Sequence, residues 1–316
     1  MSMRELYYIF IRYGACLELV KETAILKREN FGEKVINMLS GKYLFEDVDL
    51  NDCKIRSETV ALIANSHGND IFGRAFLPAV KDNDERTPVV IFFHGYPGTE
   101  QNLDIPHALR RVGIASVHFS YRGVWGSHGD YSFTHLIEDA HAILEYLTGK
   151  ANEWRLDMKR VYLVGHSMGG FAVLNALAEG IAVKGAVVLA PCDMGEIYIN
   201  EPRKFEQMMQ NKKKGYFVLL DDNSIEEDTR LHAEQWSFVN LADKLAKRVP
   251  IHFVGGTRDK VTPPDIHITP LYQKLLNLGS KTSYTEFDDG HAFPDHRIAL
   301  TQLVFQKISE MEKEQA

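Results

Sequence analysis

Val161-Tyr162-Leu163-Val164-Gly165-His166-Ser167-Met168-Gly169-Gly170 is the stretch that decides how this sequence reads. An apolar run leads into Gly-x-Ser-x-Gly. Phe171, Val173, Leu174 and Leu177 then continue at helical spacing. A strand that turns sharply into a helix at a serine is the setting in which this motif carries chemistry. The serine needs a strained turn that exposes its hydroxyl, and the flanking glycines let strand and helix approach closely. Ser167 is therefore the candidate nucleophile. The competing reading is an ordinary glycine-rich strand–helix turn.

The pattern around this stretch predicts an α/β fold. Short apolar runs recur at Val89–Phe93, Ile114–Phe119, Val161–Val164, Ala186–Leu189, Ile251–Val254 and Thr282–Phe287. Continuous runs of this kind suit strands covered on both faces. Helical periodicity fills the gaps. Phe133, Leu136, Ile137, Ala140, Ile143, Leu144 and Leu147 share one helix face, as do Leu300, Leu303, Val304, Ile308 and Met311. Strand–helix alternation implies a mostly parallel central sheet with helices on both faces. Upstream, runs near 54–65 and 70–77 flank His67-Gly68-Asn69-Asp70 and read as an antiparallel hairpin. Residues 1–40 read as an N-terminal helical extension. The core is expected over 41–193 and 233–316. Between the strand ending near Leu189 and the one starting near Ile251 the alternation breaks, over a stretch too long for a simple loop. It reads as a small helical cap inserted over 194–232. Ile197, Tyr198, Phe205, Met208 and Met209 suit its inner face, and Glu226, Glu227, Asp228 and Arg230 its outer one.

A serine hydroxyl is a poor nucleophile until a base takes its proton. On this architecture the partners follow in the order serine, acid, histidine. Ile251–Val254 is followed by Gly255-Gly256-Thr257-Arg258-Asp259, and Thr282–Phe287 by Asp288-Asp289-Gly290-His291. His291 is the candidate base. Asp259 is the candidate that orients it. Asp193, after an earlier strand, is the rival acid, while Asp288 and Asp289 read as loop carboxylates. Acyl transfer also needs donors for an oxyanion. The backbone N–H of Met168 is one candidate. The second comes from His94-Gly95-Tyr96-Pro97-Gly98-Thr99. Pro97 has no N–H, so Tyr96 is the better candidate, and a simple turn is the competing reading. His94 reads as a residue that braces the loop.

His-Gly-Tyr-Pro-Gly, Gly-His-Ser-Met-Gly, Gly-Thr-Arg-Asp and Asp-Gly-His-Ala-Phe, in this order, resemble the α/β-hydrolase superfamily over about residues 54–312. Tyr121-Arg122-Gly123-Val124-Trp125-Gly126-Ser127-His128-Gly129 and the ending Gly-His-Ala-Phe-Pro-Asp-His-Arg are similar to its esterase and prolyl-oligopeptidase-like branch. The first of these also reads as a structural turn braced by Arg122. The resemblance implies a serine esterase working through an acyl-enzyme without metal or organic cofactor. An aminopeptidase or acylaminoacyl peptidase with the same residues is the alternative. Against it, no stretch here could form the β-propeller of the oligopeptidases, and Ser120 stands where relatives often carry Asp or Asn. A non-catalytic binding protein on the same scaffold would need none of Ser167, Asp259 and His291. Dehalogenase chemistry would want aspartate at position 167, and the usual dienelactone hydrolase cysteine.

Composition narrows the partners. The 316 residues are 45% hydrophobic and 25% charged, with a formal net charge of −7. That balance lacks the basic footprint of a nucleic-acid binder; Lys212-Lys213-Lys214 reads as a solvated face. Cys16, Cys53 and Cys192 form neither a CxxC pair nor a metal-ligand spacing. No apolar run reaches the ~18 residues of a membrane span. Arg12 interrupts the apolar start, so no signal peptide is expected. These features predict a cytoplasmic protein acting on a small ester or acyl substrate. They say nothing of oligomeric state.

Overall fold

A computed structural model describes residues 41–212 and 216–313. The expected N-terminal helices over 1–40, Cys16, Lys213 and Lys214 lie outside the described residues.

Among the described residues, eight strands form one sheet in the order β1-β2-β4-β3-β5-β6-β7-β8. They are β1 (Glu58–Ser66), β2 (Asn69–Leu77), β3 (Thr87–Phe93), β4 (Ala115–Phe119), β5 (Leu156–His166), β6 (Gly185–Leu189), β7 (Ile251–Gly256) and β8 (Thr282–Phe287). β2 runs antiparallel to both β1 and β4, and the remaining pairs are parallel. The expected hairpin is present. Its turn is His67-Gly68, both at positive φ (50° and 83°), with Asn65 Oδ1 accepting the Gly68 N–H at 3.0 Å. Positive φ at both positions is the geometry that matches a two-residue turn to the twist of its strands. β1 starts at Glu58 rather than near 54, because Ile55 pairs with Val80 instead.

The reason for the layers is visible in the strands. β3, β4 and β6 are buried at every position, as strands covered on both faces must be. On one face pack the helices Phe133–Lys150 and Met168–Glu179, through Phe133, Leu136, Ile143, Phe171 and Leu174. On the other pack Asp104–Arg111 and Arg297–Lys313, through Ile105, Leu109, Leu300 and Val304. Truncating a fully buried strand leucine such as Leu163 to alanine costs roughly 2–5 kcal/mol, from lost transfer energy and the cavity left behind.

The break in the alternation holds three helices, Met194–Asn200, Pro202–Lys212 and Ser224–Trp236, followed by Phe238–Leu245. The third runs past 232. Trp236 anchors its end edge-on against Phe171 at 5.3 Å and Phe133 at 6.2 Å. Ile197, Phe205 and Met209 are buried as expected. Asp228 differs. Its carboxylate accepts from Thr134 N (3.0 Å) and Oγ1 (2.6 Å), tying the insertion to the start of Phe133–Lys150 instead of facing water.

Candidate active site

β5 ends and the helix Met168–Glu179 begins at Ser167, with no loop between. Ser167 sits at φ 57°, ψ −117°, a conformation that costs a non-glycine residue about 1–3 kcal/mol and persists only where its surroundings enforce it. The glycines make the crossing possible. A Cβ on Gly165 would lie 2.3 Å from Gly169 O, and one on Gly169 would lie 2.0 Å from Phe93 O. The Ser167 N–H donates to Leu189 O at 2.9 Å, and Ser167 O accepts from Cys192 N at 3.0 Å, so β6 and its following turn hold the serine from the side.

His291 lies in the turn after β8, and Asp259 in the turn after β7. His291 Nδ1 and Asp259 Oδ2 are 2.8 Å apart. A carboxylate only accepts, so the proton resides on Nδ1, leaving a lone pair on Nε2. The other Asp259 oxygen accepts from Val261 N (2.7 Å) and Thr262 N (3.0 Å). Burial works to raise the Asp259 pKa, but the His291 hydrogen bond and charge and the Thr262 donors outweigh it and hold it at about 2.

Among the described residues, no hydrogen bond joins Ser167 Oγ to His291. The two are coupled through the backbone. His166 Nε2 donates to His291 O at 2.8 Å, and the two rings lie 4.9 Å apart. Burial pulls the His166 pKa down to about 3, so the ring beside His291 is neutral and adds no positive charge there.

The oxyanion candidates are also near the serine. A Cβ on Gly95 would lie 3.0 Å from Ser167 Cβ, so the chain leading into Tyr96 passes directly against Ser167. Met168 is the first residue of its helix, where an N–H has no intrahelical acceptor. The loop is braced as expected of His94: its Nδ1 donates to Gly95 O (2.8 Å), and Tyr121 OH donates to His94 O (3.1 Å). Burial lowers the His94 pKa to about 4.

Among the described residues, no hydrogen bond or ion pair joins Asp193 to His291. Its two oxygens accept from Glu196 N (2.9 Å) and Phe238 N (2.8 Å), capping two helices. Asp289 is buried and accepts from Gly290 N, Asp295 N and His296 Nδ1, fixing the loop that carries His291. Asp288 is a surface carboxylate paired with Arg258. Sequence reasoning missed Thr262. Its Oγ1 lies 2.9 Å from Asp259 Oδ2, 3.0 Å from Ala190 O and 3.1 Å from His291 Nδ1. A threonine three residues after a turn aspartate is a signal for such a bond.

Among the described residues, no group of three His, Cys, Asp or Glu side chains could hold a metal ion, and no helix is long and apolar enough to cross a membrane.

Residues 90–301 match the model of the alpha/beta hydrolase family. The chain belongs to that family. YitV of Bacillus subtilis (strain 168), which bears the provisional name of an esterase, is 28% identical to this hydrolase over 210 residues, 61% of this chain and 77% of its own. Puromycin hydrolase superposes with a TM-score of 0.64 at 18% identity, over 81% of this chain and 39% of its own. Est1E from Butyrivibrio proteoclasticus superposes with a TM-score of 0.59 at 18% identity, over 79% of this chain and 98% of its own. At these identities the two structures bear on the fold of the hydrolase alone.

Proposed function

We propose that this hydrolase cleaves carboxylic esters through an acyl-enzyme on Ser167. The observation that carries the reading is the Asp259–His291 pair, joined at 2.8 Å at the same sheet end as a serine held at φ 57°. His291 Nε2 takes the Ser167 proton as Oγ attacks the ester carbonyl. Asp259 fixes the tautomer and stabilises the imidazolium that forms. The N–H groups of Met168 and Tyr96 receive the oxyanion. Collapse of the tetrahedral intermediate breaks the ester C–O bond, and His291 passes its proton to the departing alkoxide oxygen. Water then attacks the acyl-enzyme with His291 again as base, releasing the acid and restoring Ser167.

Residues 194–232 act as the cap over this site. In support, Phe217 stacks on Tyr96 at 4.7 Å, and Tyr96 OH reaches the Met208 carbonyl at 3.5 Å. The insertion therefore touches the same loop that supplies an oxyanion donor. The test is a panel of p-nitrophenyl esters of graded chain length beside aminoacyl-p-nitroanilides. Esters are turned over, anilides are not, and Ser167→Ala abolishes the ester activity. Faster turnover of the anilides would make the enzyme a peptidase.

A further inference from the structure

The loop Tyr121–Gly129 is held at several points, and one residue in it is out of keeping with the rest. Tyr121 and Arg122 are buried. Arg122 Nε pairs with the fully buried Asp139 at 2.7 Å, and Tyr121 OH holds the oxyanion loop through His94 O. Ser127 Oγ donates to Ser120 O at 2.8 Å. A loop fixed at so many points has the means to bury its largest apolar side chain, yet Trp125 is 45% exposed. It also holds φ 49°, a backbone conformation unfavourable to any bulky residue. Trp154 and Trp236, the other two tryptophans of the chain, are 4% and 2% exposed.

The exposed indole is not free to swing. Its Nε1 donates to Pro97 O at 2.9 Å, one residue beyond Tyr96. Tyr216, 41% exposed, lies 5.8 Å from it, tilted by 49°. The next residue, Phe217, bridges to Val124 and stacks on Tyr96. Two consecutive aromatic residues of the insertion therefore meet two aromatic residues of the oxyanion side, one pair packed and one pair open to solvent. The anchored, solvent-facing indole exposes a π-face whose position is already set, so a bound ring loses little to ordering it.

We propose that Trp125 and Tyr216 form a subsite for a planar aromatic group of the substrate, which makes Trp125 a specificity-determining residue. This rests on the ester-hydrolase reading above and names the substrate class: esters with an aromatic ring in the portion that lies past Tyr96 and Pro97. The ring stacks offset or edge-on against the indole, as aromatic pairs prefer. An aliphatic group of the same size fills the space and loses that contact.

The experiment compares benzyl acetate with cyclohexylmethyl acetate, which match in size and differ in the ring. Wild type has the higher kcat/KM on the benzyl ester. In Trp125→Leu that preference falls by about fivefold to tenfold, the scale of one aromatic pair, chiefly through KM. Trp125→Phe recovers most of it. Equal losses on the two esters, or none on either, would overturn the proposal. A second readout needs no turnover. Ser167→Ala protein titrated with benzyl acetate shows a saturable blue shift of tryptophan emission as the one exposed indole is covered. The shift disappears in Ser167→Ala/Trp125→Phe and is weaker with cyclohexylmethyl acetate. A shift that survives without Trp125, or no shift at all, refutes the subsite. Full ester turnover in Ser167→Ala would instead defeat the nucleophile assignment and leave the subsite standing on the kcat/KM ratios.

Discussion

The turns after β6 and β7 sit side by side at one end of the sheet, and each carries a buried aspartate. Asp193 is 3% exposed and Asp259 is 5% exposed. Nothing in the local sequence separates them, yet their surroundings give them opposite character. Asp193 accepts from the backbone N–H groups of Glu196 and Phe238, with the Gly195 N–H beside them and the Glu196 carboxylate working the other way. Burial outweighs the donors and pushes its pKa up to about 7. Asp259 is buried too, but it faces His291 and takes two backbone N–H bonds besides, which hold it at about 2. Burial alone raises a carboxyl pKa, and a nearby imidazole together with convergent donors reverses it. The long-range event that separates the two is the arrival of β8 beside β7, which delivers His291 to one turn and not the other.

That contrast can be broken by exchanging each carboxyl for an amide. Asp259→Asn slows turnover by roughly 10⁴-fold, the scale of a triad that loses its orienting carboxylate. Asp193→Asn keeps turnover within about tenfold and lowers Tm, because two helix starts lose part of their cap, at about 1 kcal/mol each. Steady-state kinetics and thermal melts on both variants check this. A larger activity loss from Asp193→Asn would reverse the assignment.

Thr262 sharpens the Asp259 side. Its hydroxyl contributes to the low pKa of Asp259, and a hydrogen bond to a charged group is worth about 1.5–3 kcal/mol. Thr262→Val therefore lowers kcat about tenfold to hundredfold, while Thr262→Ser, which keeps the donor, stays close to wild type. Equal kcat values for the two variants would remove Thr262 from the positioning of Asp259.

Stability against pH separates the two turns again, by sign. The Asp193 pKa is raised above its ordinary 3.8. Its contribution to stability is full below pH 3.8 and is lost as pH rises through about 7. The Tm gap between wild type and Asp193→Asn thus narrows from pH 4 to pH 7. The Asp259 pKa is lowered. Its contribution is full above pH 3.8 and is lost as pH falls through about 2, so the gap to Asp259→Asn closes only in acid. Parallel profiles for the two variants would contradict the contrast.

The smallest expected effect lies in the insertion. Replacing Met208 and Met209 together by alanine shifts the relative kcat/KM values across an acyl-chain series by a few-fold, since flexible methionines adapt to varied groups. Unchanged ratios would separate the insertion from specificity.

What the sequence could carry depended on range. β3, β6 and the Val161–Val164 half of β5 were legible because these runs are apolar, whereas the start of β5, with Asp157, Lys159 and Arg160, is not; Gly165, Ser167 and Gly169 were legible because the crossing of strand and helix leaves no room for side chains. The candidate order Ser167, Asp259, His291 could be read because each follows a strand. The choice between Asp259 and Asp193 was weaker, since it turns on which strand β8 joins. Thr262 and the His166–His291 bond were illegible because each depends on contacts across 29 and 125 positions in the chain. Asp228 reads as a surface charge until Thr134, 94 residues away, comes beside it. Trp125 was hidden in a motif whose other members brace loops.

The central claim is that Ser167 is the nucleophile, and a fluorophosphonate probe tests it most directly. The account predicts one phosphonylated residue per chain, located at Ser167 by peptide mass spectrometry. It predicts no labelling of folded Ser167→Ala and strongly slowed labelling of Asp259→Asn. Labelling that persists in Ser167→Ala, or that maps to another serine in the wild type, would contradict it.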